Sequence, residues 1–119
     1  MKWSEFVDGC DIWPDNVITK NIEYIDTFGD GSDVAESLIM LPDKTACDRL
    51  VNRALEAGLC FSISDVMEMD GYTSDKLRDM LIYAYINKQP ILSYSDLEYL
   101  MEILDEKEFS AVIMQQINK

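Results

Sequence analysis

Carboxylates are the side chains of this sequence best supplied to do chemistry. Asp and Glu number 23 against 10 Lys and Arg, and histidine is absent, for a net charge of −13 over 119 residues. The lack of histidine removes the commonest general base, the Ser/His and Cys/His nucleophile pairs and most zinc sites. No glycine-rich phosphate loop occurs. Carboxylates four residues apart, Asp75 with Asp79 and Glu102 with Glu106, read as the solvated face of a helix rather than as an acid–base pair, which would need a cleft. The segment Asp26 to Ser37 resembles a calcium loop at Asp26, Asp30 and Gly31. Phe28 stands where a ligand belongs, however, and Ser37 replaces the bidentate acid. The three cysteines, Cys10, Cys47 and Cys60, lack metal-type spacing and are expected to be small buried apolar residues of a reducing compartment. The expectation is therefore no catalytic residue, no cofactor and no metal.

What remains for the acids is recognition. A net negative charge of this size opposes binding to nucleic acid or to an anionic membrane surface and favours a protein partner with a basic surface. Residues 93–108 are the densest stretch, with six acids and one lysine. Asp96, Glu98, Glu102, Asp105 and Glu106 are accordingly the expected contact residues. A helix-turn-helix between Asp65 and Lys88 would carry Asp75, Lys76, Arg78 and Asp79 on its recognition helix, too little positive charge to hold phosphate. The size, charge and residue inventory suit a non-enzymatic interaction module, of the kind a small cytosolic inhibitor or immunity protein represents. The alternative is a nucleic-acid mimic, in which carboxylates stand in for phosphates along one face. Lys44, Arg49, Arg53, Lys76, Arg78 and Lys88 in the middle of the chain count against it. The first residues, Met1-Lys2-Trp3-Ser4-Glu5, lack an apolar signal-type core. The longest apolar run, Met80 to Ile86, is far short of a membrane span. A cytoplasmic chain is expected; nothing in the sequence sets its oligomeric state.

These acids must be positioned by helices. Serine, acid and an apolar residue recur as Ser4-Glu5-Phe6, Ser32-Asp33-Val34, Ser64-Asp65-Val66 and Ser95-Asp96-Leu97, spaced by 28, 32 and 31 residues. Ten residues after each serine comes a second start: Pro14-Asp15, Pro42-Asp43, Ser74-Asp75 and Asp105-Glu106. Serine can accept a hydrogen bond from an orphan N–H of the first helical turn. An acid beside it meets the positive end of the helix dipole. A period near thirty with two helix starts per period predicts an all-α chain of four short helix-turn-helix hairpins in one domain, 4–30, 31–61, 62–92 and 93–119. An irregular compact helical bundle is the alternative. In general plan the array resembles short α-solenoids of the HEAT kind, without a matching consensus, so no residue role is carried over.

Alignment on the serines predicts what is buried. Two residues on stand Phe6, Val34, Val66 and Leu97, and eight on stand Ile12, Met40, Tyr72 and Ile103, expected to plug the turns. In the longer helices Ile22, Leu50, Ile82 and Ile113 form one column. Asp26, Ala54, Ile86 and Ile117 form the next, with Ile25 in place of Asp26 if the first copy slips by one. Leu38 to Leu41 is apolar all round, and Leu77, Met80, Leu81, Ala84 and Tyr85 make a further stripe. Gly29 or the Gly-Asp-Gly after it is expected to stop the first long helix, and Gly58 the second. Trp3 and Trp13 should cap the end of the core.

Overall fold

Each short helix begins one residue before its serine–acid signature, with its N-cap two residues before. A computed structural model of the chain describes residues 1–89 and 91–118. In it the short helices are α1 (Trp3–Cys10), α3 (Gly31–Ser37), α5 (Ile63–Met69) and α7 (Tyr94–Ile103). Their N-caps are Lys2, Asp30, Ser62 and Ser93. The recurrent acid is thus the third residue of the helix, and it closes a reciprocal capping box in three copies. Asp33 N–H donates to Asp30 Oδ1 at 2.9 Å while Asp30 N–H donates to Asp33 Oδ2 at 3.0 Å. Ser62 with Asp65 and Ser93 with Asp96 repeat the arrangement. The first copy has Lys2 at the cap and no side-chain bond there. Ser4, Ser32, Ser64 and Ser95 are exposed and none is the N-cap, a correction to their expected role as caps; Ser32 serves instead by donating its hydroxyl to Asp30 Oδ1 at 2.9 Å.

The longer helices are α2 (Asp15–Asn21), α4 (Lys44–Glu56), α6 (Asp75–Lys88) and α8 (Glu106–Ile117). Asp43, Ser74 and Asp105 cap the last three through their side chains, and Asp105 pairs reciprocally with Glu108. Gly58, at φ +95°, ends α4. Its N–H donates to Leu55 O and that of Leu59 to Ala54 O, both at 3.0 Å, which satisfies two carbonyls the helix leaves open. The first long helix stops far short of Gly29: a 3₁₀ turn, Ile22–Tyr24, follows α2 and the backbone then extends. Asp26 N–H donates to Met1 O at 2.8 Å and Thr27 bridges to Lys2, so the first residues take the backbone groups a longer helix would use. No other β pairing exists among the described residues.

The chain is therefore all-α, with extents of 45 × 23 × 19 Å. α3 packs on α5 and α5 on α7, while α4 meets the 3₁₀ turn of the first copy and α6 meets α8. Long-range bonds tie the helices together: Arg49 Nε to Glu23 Oε1 across 26 residues, Arg53 Nη2 to Ile25 O across 28, Arg78 Nη2 to Glu108 Oε2 across 30. Gly31 permits one close approach, since a Cβ there would lie 2.6 Å from Cys60 O. Trp13 lies over Gly9 and, with Trp3, against Phe6, so the two indoles cover one end of the core.

Burial follows the shifted register. Phe6, Val34 and Val66 are inside and Leu97 is half-buried. Three and seven residues further lie Gly9, Ser37, Met69 and Leu100, all buried, and then Trp13, Leu41, Thr73 and Leu104, buried or half-buried. That spacing is one helical face. The expected turn plugs sit one residue off it: Ile12 is 81% and Tyr72 38% exposed, with Met40 and Ile103 half-buried. Ile22, Leu50, Ile82, Ala54 and Ile86 are buried, as is Ile25 in place of Asp26, but Ile117 is exposed. In α6 the inner stripe is Leu77, Leu81, Ile82 and Ile86, leaving Met80 and Ala84 outside. Leu38 to Met40 forms a 3₁₀ turn whose Ile39 is 71% exposed, so the segment is not buried all round.

Candidate protein-binding surface

The five acids singled out in the sequence divide into two kinds. Asp96, half-buried, closes the Ser93 box and also accepts the Tyr85 hydroxyl at 3.0 Å. That bond, after burial itself, pushes the Tyr85 pKa up. Asp105 caps α8, taking Glu108 N–H at 2.7 Å. Both are committed to holding α7 and α8. Glu98 and Glu102 lie one turn apart on α7, and Glu106 opens α8 across the short turn. All three are exposed, without an ion pair or side-chain hydrogen bond among the described residues. α7 and α8 pack together, so these three stand on two neighbouring helices, while the other two belong to the framework.

Positive charge is disposed differently. All three arginines of the chain turn to internal acceptors. Arg49 bonds Glu23, and Arg53 donates to Ile25 O at 3.0 Å and lies 3.6 Å from Glu56. Arg78, 8% exposed on α6, is ringed by carboxylates: Asp79 at 3.0 Å, Glu108 at 2.7 Å, Asp75 at 3.8 Å and Asp70 at 4.0 Å. It also donates to Ile103 O at 3.4 Å. Burial would lower its pKa, but the Asp79 bond and the charges of Asp79, Glu108 and Asp75 outweigh that and raise it. Residue spacing placed Arg78 on a candidate recognition helix; its burial withdraws it from any such role.

Among the open grooves on the surface are three lined by the longer helices or by the ends of α3 and α5. One of about 330 Å³ runs between α4, α5 and α6 over Leu59, Phe61, Leu81 and Tyr85. At its border Lys88 Nζ lies 3.0 Å from Cys60 Sγ. A second, about 420 Å³, lies between α6 and α8 over Ile82, Tyr83, Leu104 and Val112. The third, about 330 Å³, joins the ends of α3 and α5 and is lined by Ala35, Glu36, Ile39, Glu68 and Tyr72. The last was missed in the sequence because Tyr72 and its equivalents were assigned to the core. Reading the Ser-x-x-Asp boxes as caps would have put them outside.

The cysteines differ from their uniform expectation: Cys47 is buried and Cys10 half-buried, but Cys60 is exposed. Burial, reinforced by nearby aspartates, pushes the Cys10 and Cys47 thiols up to about 11, where they are inert as nucleophiles. Of the candidate calcium loop, Asp26 takes the amino group of Met1 and Asp30 caps α3. No group of three or more Cys, Asp and Glu that could hold a metal gathers among the described residues. No described helix is long and apolar enough to cross a membrane. Comparison with protein-family models, with curated proteins and with solved structures returns no match.

Proposed function

We propose that this chain is a non-enzymatic, cytoplasmic interaction module that docks a partner protein through the partner's basic surface, in the manner of a small inhibitor or immunity protein. One observation carries the reading: every arginine bonds an acceptor of the chain itself, while Glu98, Glu102 and Glu106 stay exposed. Negative charge so presented accelerates encounter with a basic partner and discourages acidic ones. The alternative reading, mimicry of nucleic acid, calls for unbroken rows of carboxylates. Exposed Lys44, Lys76 and Lys107 at the starts of α4, α6 and α8 interrupt such rows, which favours a protein partner with mixed contacts.

The test is capture of a partner from the native host, followed by association kinetics with the purified pair. Replacing Glu98, Glu102 and Glu106 by lysine should slow association by at least about tenfold at low salt, with the difference shrinking as salt screens the charges. An unchanged association rate would remove these residues from the contact.

A further inference from the structure

Each short helix has at or just beyond its end an apolar side chain that the core does not use. Ile12 after α1, Ile39 after α3, Tyr72 after α5 and Met101 in the last turn of α7 are 81%, 71%, 38% and 65% exposed. The ends of α3, α5 and α7 adjoin. Ile39 and Glu36 share a groove with Tyr72 and Glu68, and Arg78 bridges Asp70 to Ile103 O. A second shallow groove, of about 200 Å³, sets Val7 of α1 beside Ser37 and Met40. The four stretches at these helix ends, 8–13, 36–43, 68–73 and 99–105, contain eight acids and no lysine or arginine.

An apolar groove over Ile39 and Tyr72, walled by Glu36 and Glu68, defines its complement. The geometry points to a docking strip for a segment of a partner protein in which lysine or arginine alternates with apolar residues, centred on Ile39 and Tyr72. Apolar side chains of that segment cover Ile39 and Tyr72, whose burial supplies affinity. Its cations meet Glu36 and Glu68 on the groove walls. A second copy of this chain, itself strongly acidic, would bring like charges together, and a purely cationic segment would leave the apolar groove wet. Lys44, the first residue of α4, and Lys76, the second of α6, are exposed and lie outside the lining of the groove, which leaves Glu36 and Glu68 as its charged groups. This inference rests on the acidic-module reading and names the partner's chemistry for it.

The probe is a synthetic peptide alternating Lys with Leu, compared with one alternating Lys with Ser at equal charge, each titrated into the isotope-labelled full chain at about 150 mM salt. The Lys/Leu peptide should bind saturably and at least about tenfold more tightly than the control. Its amide shifts should centre on Ala35, Glu36, Ile39, Glu68 and Tyr72. Ile39→Ser with Tyr72→Ser should weaken it about tenfold. Glu36→Gln with Glu68→Gln, which touches no core residue, should weaken it without loss of fold. Equal binding of both peptides, with shifts around Glu98, Glu102 and Glu106, would overturn the strip and leave the acidic-module reading standing. Binding of neither peptide would overturn both.

Discussion

The turns that lead from a long helix to the next short one and those that lead from a short helix to a long one use their polar groups in opposite ways. Where a long helix leads to the next short one, cations reach back along the chain. Arg53 bonds Ile25 O, Lys88 meets Cys60 Sγ, and Gly31 lets α3 close on Cys60 O. Where short helix turns into long, the polar groups are carboxylates with exposed Ile12, Ile39 and Met101 among them. The three arginines and Lys88 tie distant helices together, whereas Glu98, Glu102 and Glu106 stay exposed. Net charge alone does not reveal this division. It comes from where the arginines point.

Arg78 is the exception, since it works beneath the short-to-long turns, and removing it should have the largest effect. Arg78→Met takes away bonds to Asp79, Glu108 and Ile103 O together. Stripping one partner from a buried ion pair costs about 3–5 kcal/mol. The carboxylates left behind here are 37–84% exposed and can recover water, so a loss of about 2 kcal/mol is expected. Urea unfolding checks it; an effect under about 0.5 kcal/mol, the level of an ordinary surface site, would mean the cluster fastens nothing.

A smaller effect separates the capped copies from the first. Ser62→Ala removes the acceptor for Asp65 N–H and should cost about 1 kcal/mol. Asp30 gives the pH signature of the same device. Backbone and side-chain hydrogen bonds from Asp33 and Ser32 hold its pKa below the ordinary aspartate value. A depressed folded-state pKa means the contribution is complete above the ordinary value and is lost as pH falls through it toward the lowered one. A carboxyl titration by NMR should find Asp30 ionised where an unstructured aspartate is already protonated. A normal value would remove the box.

These devices also show what the sequence discloses. Helix content and the positions of the long-helix starts were legible because Ser74 and Asp105 are strong caps and Ile22, Leu50 and Ile82 keep one phase. The short helices were read out of phase. Ser-x-x-Asp and Ser-Asp overlap in the same few residues, and only the reciprocal bonding of Ser62 with Asp65 and Ser93 with Asp96 tells the cap from its neighbour. A shift of one residue around a helix turns a side chain by about 100°, enough to move Ile12 and Tyr72 from expected core to surface. The dual use of acids was equally hidden: Asp96 and Asp105 look like Glu98 and Glu106 in sequence but serve as caps. Nor could spacing show that α2 stops at Asn21, because the competing backbone bond comes from Met1.

The most direct test of the contrast between the two kinds of turn is the urea unfolding free energy of the chain carrying Ile12→Ser, Ile39→Ser and Met101→Ser together. If the short-to-long turns are spared from folding, three large apolar side chains can be removed for no more than about 0.5 kcal/mol each. A loss of about 2–5 kcal/mol per site, the cost of truncating a core aliphatic residue, would show that these residues belong to the interior and that no surface was left there for a partner.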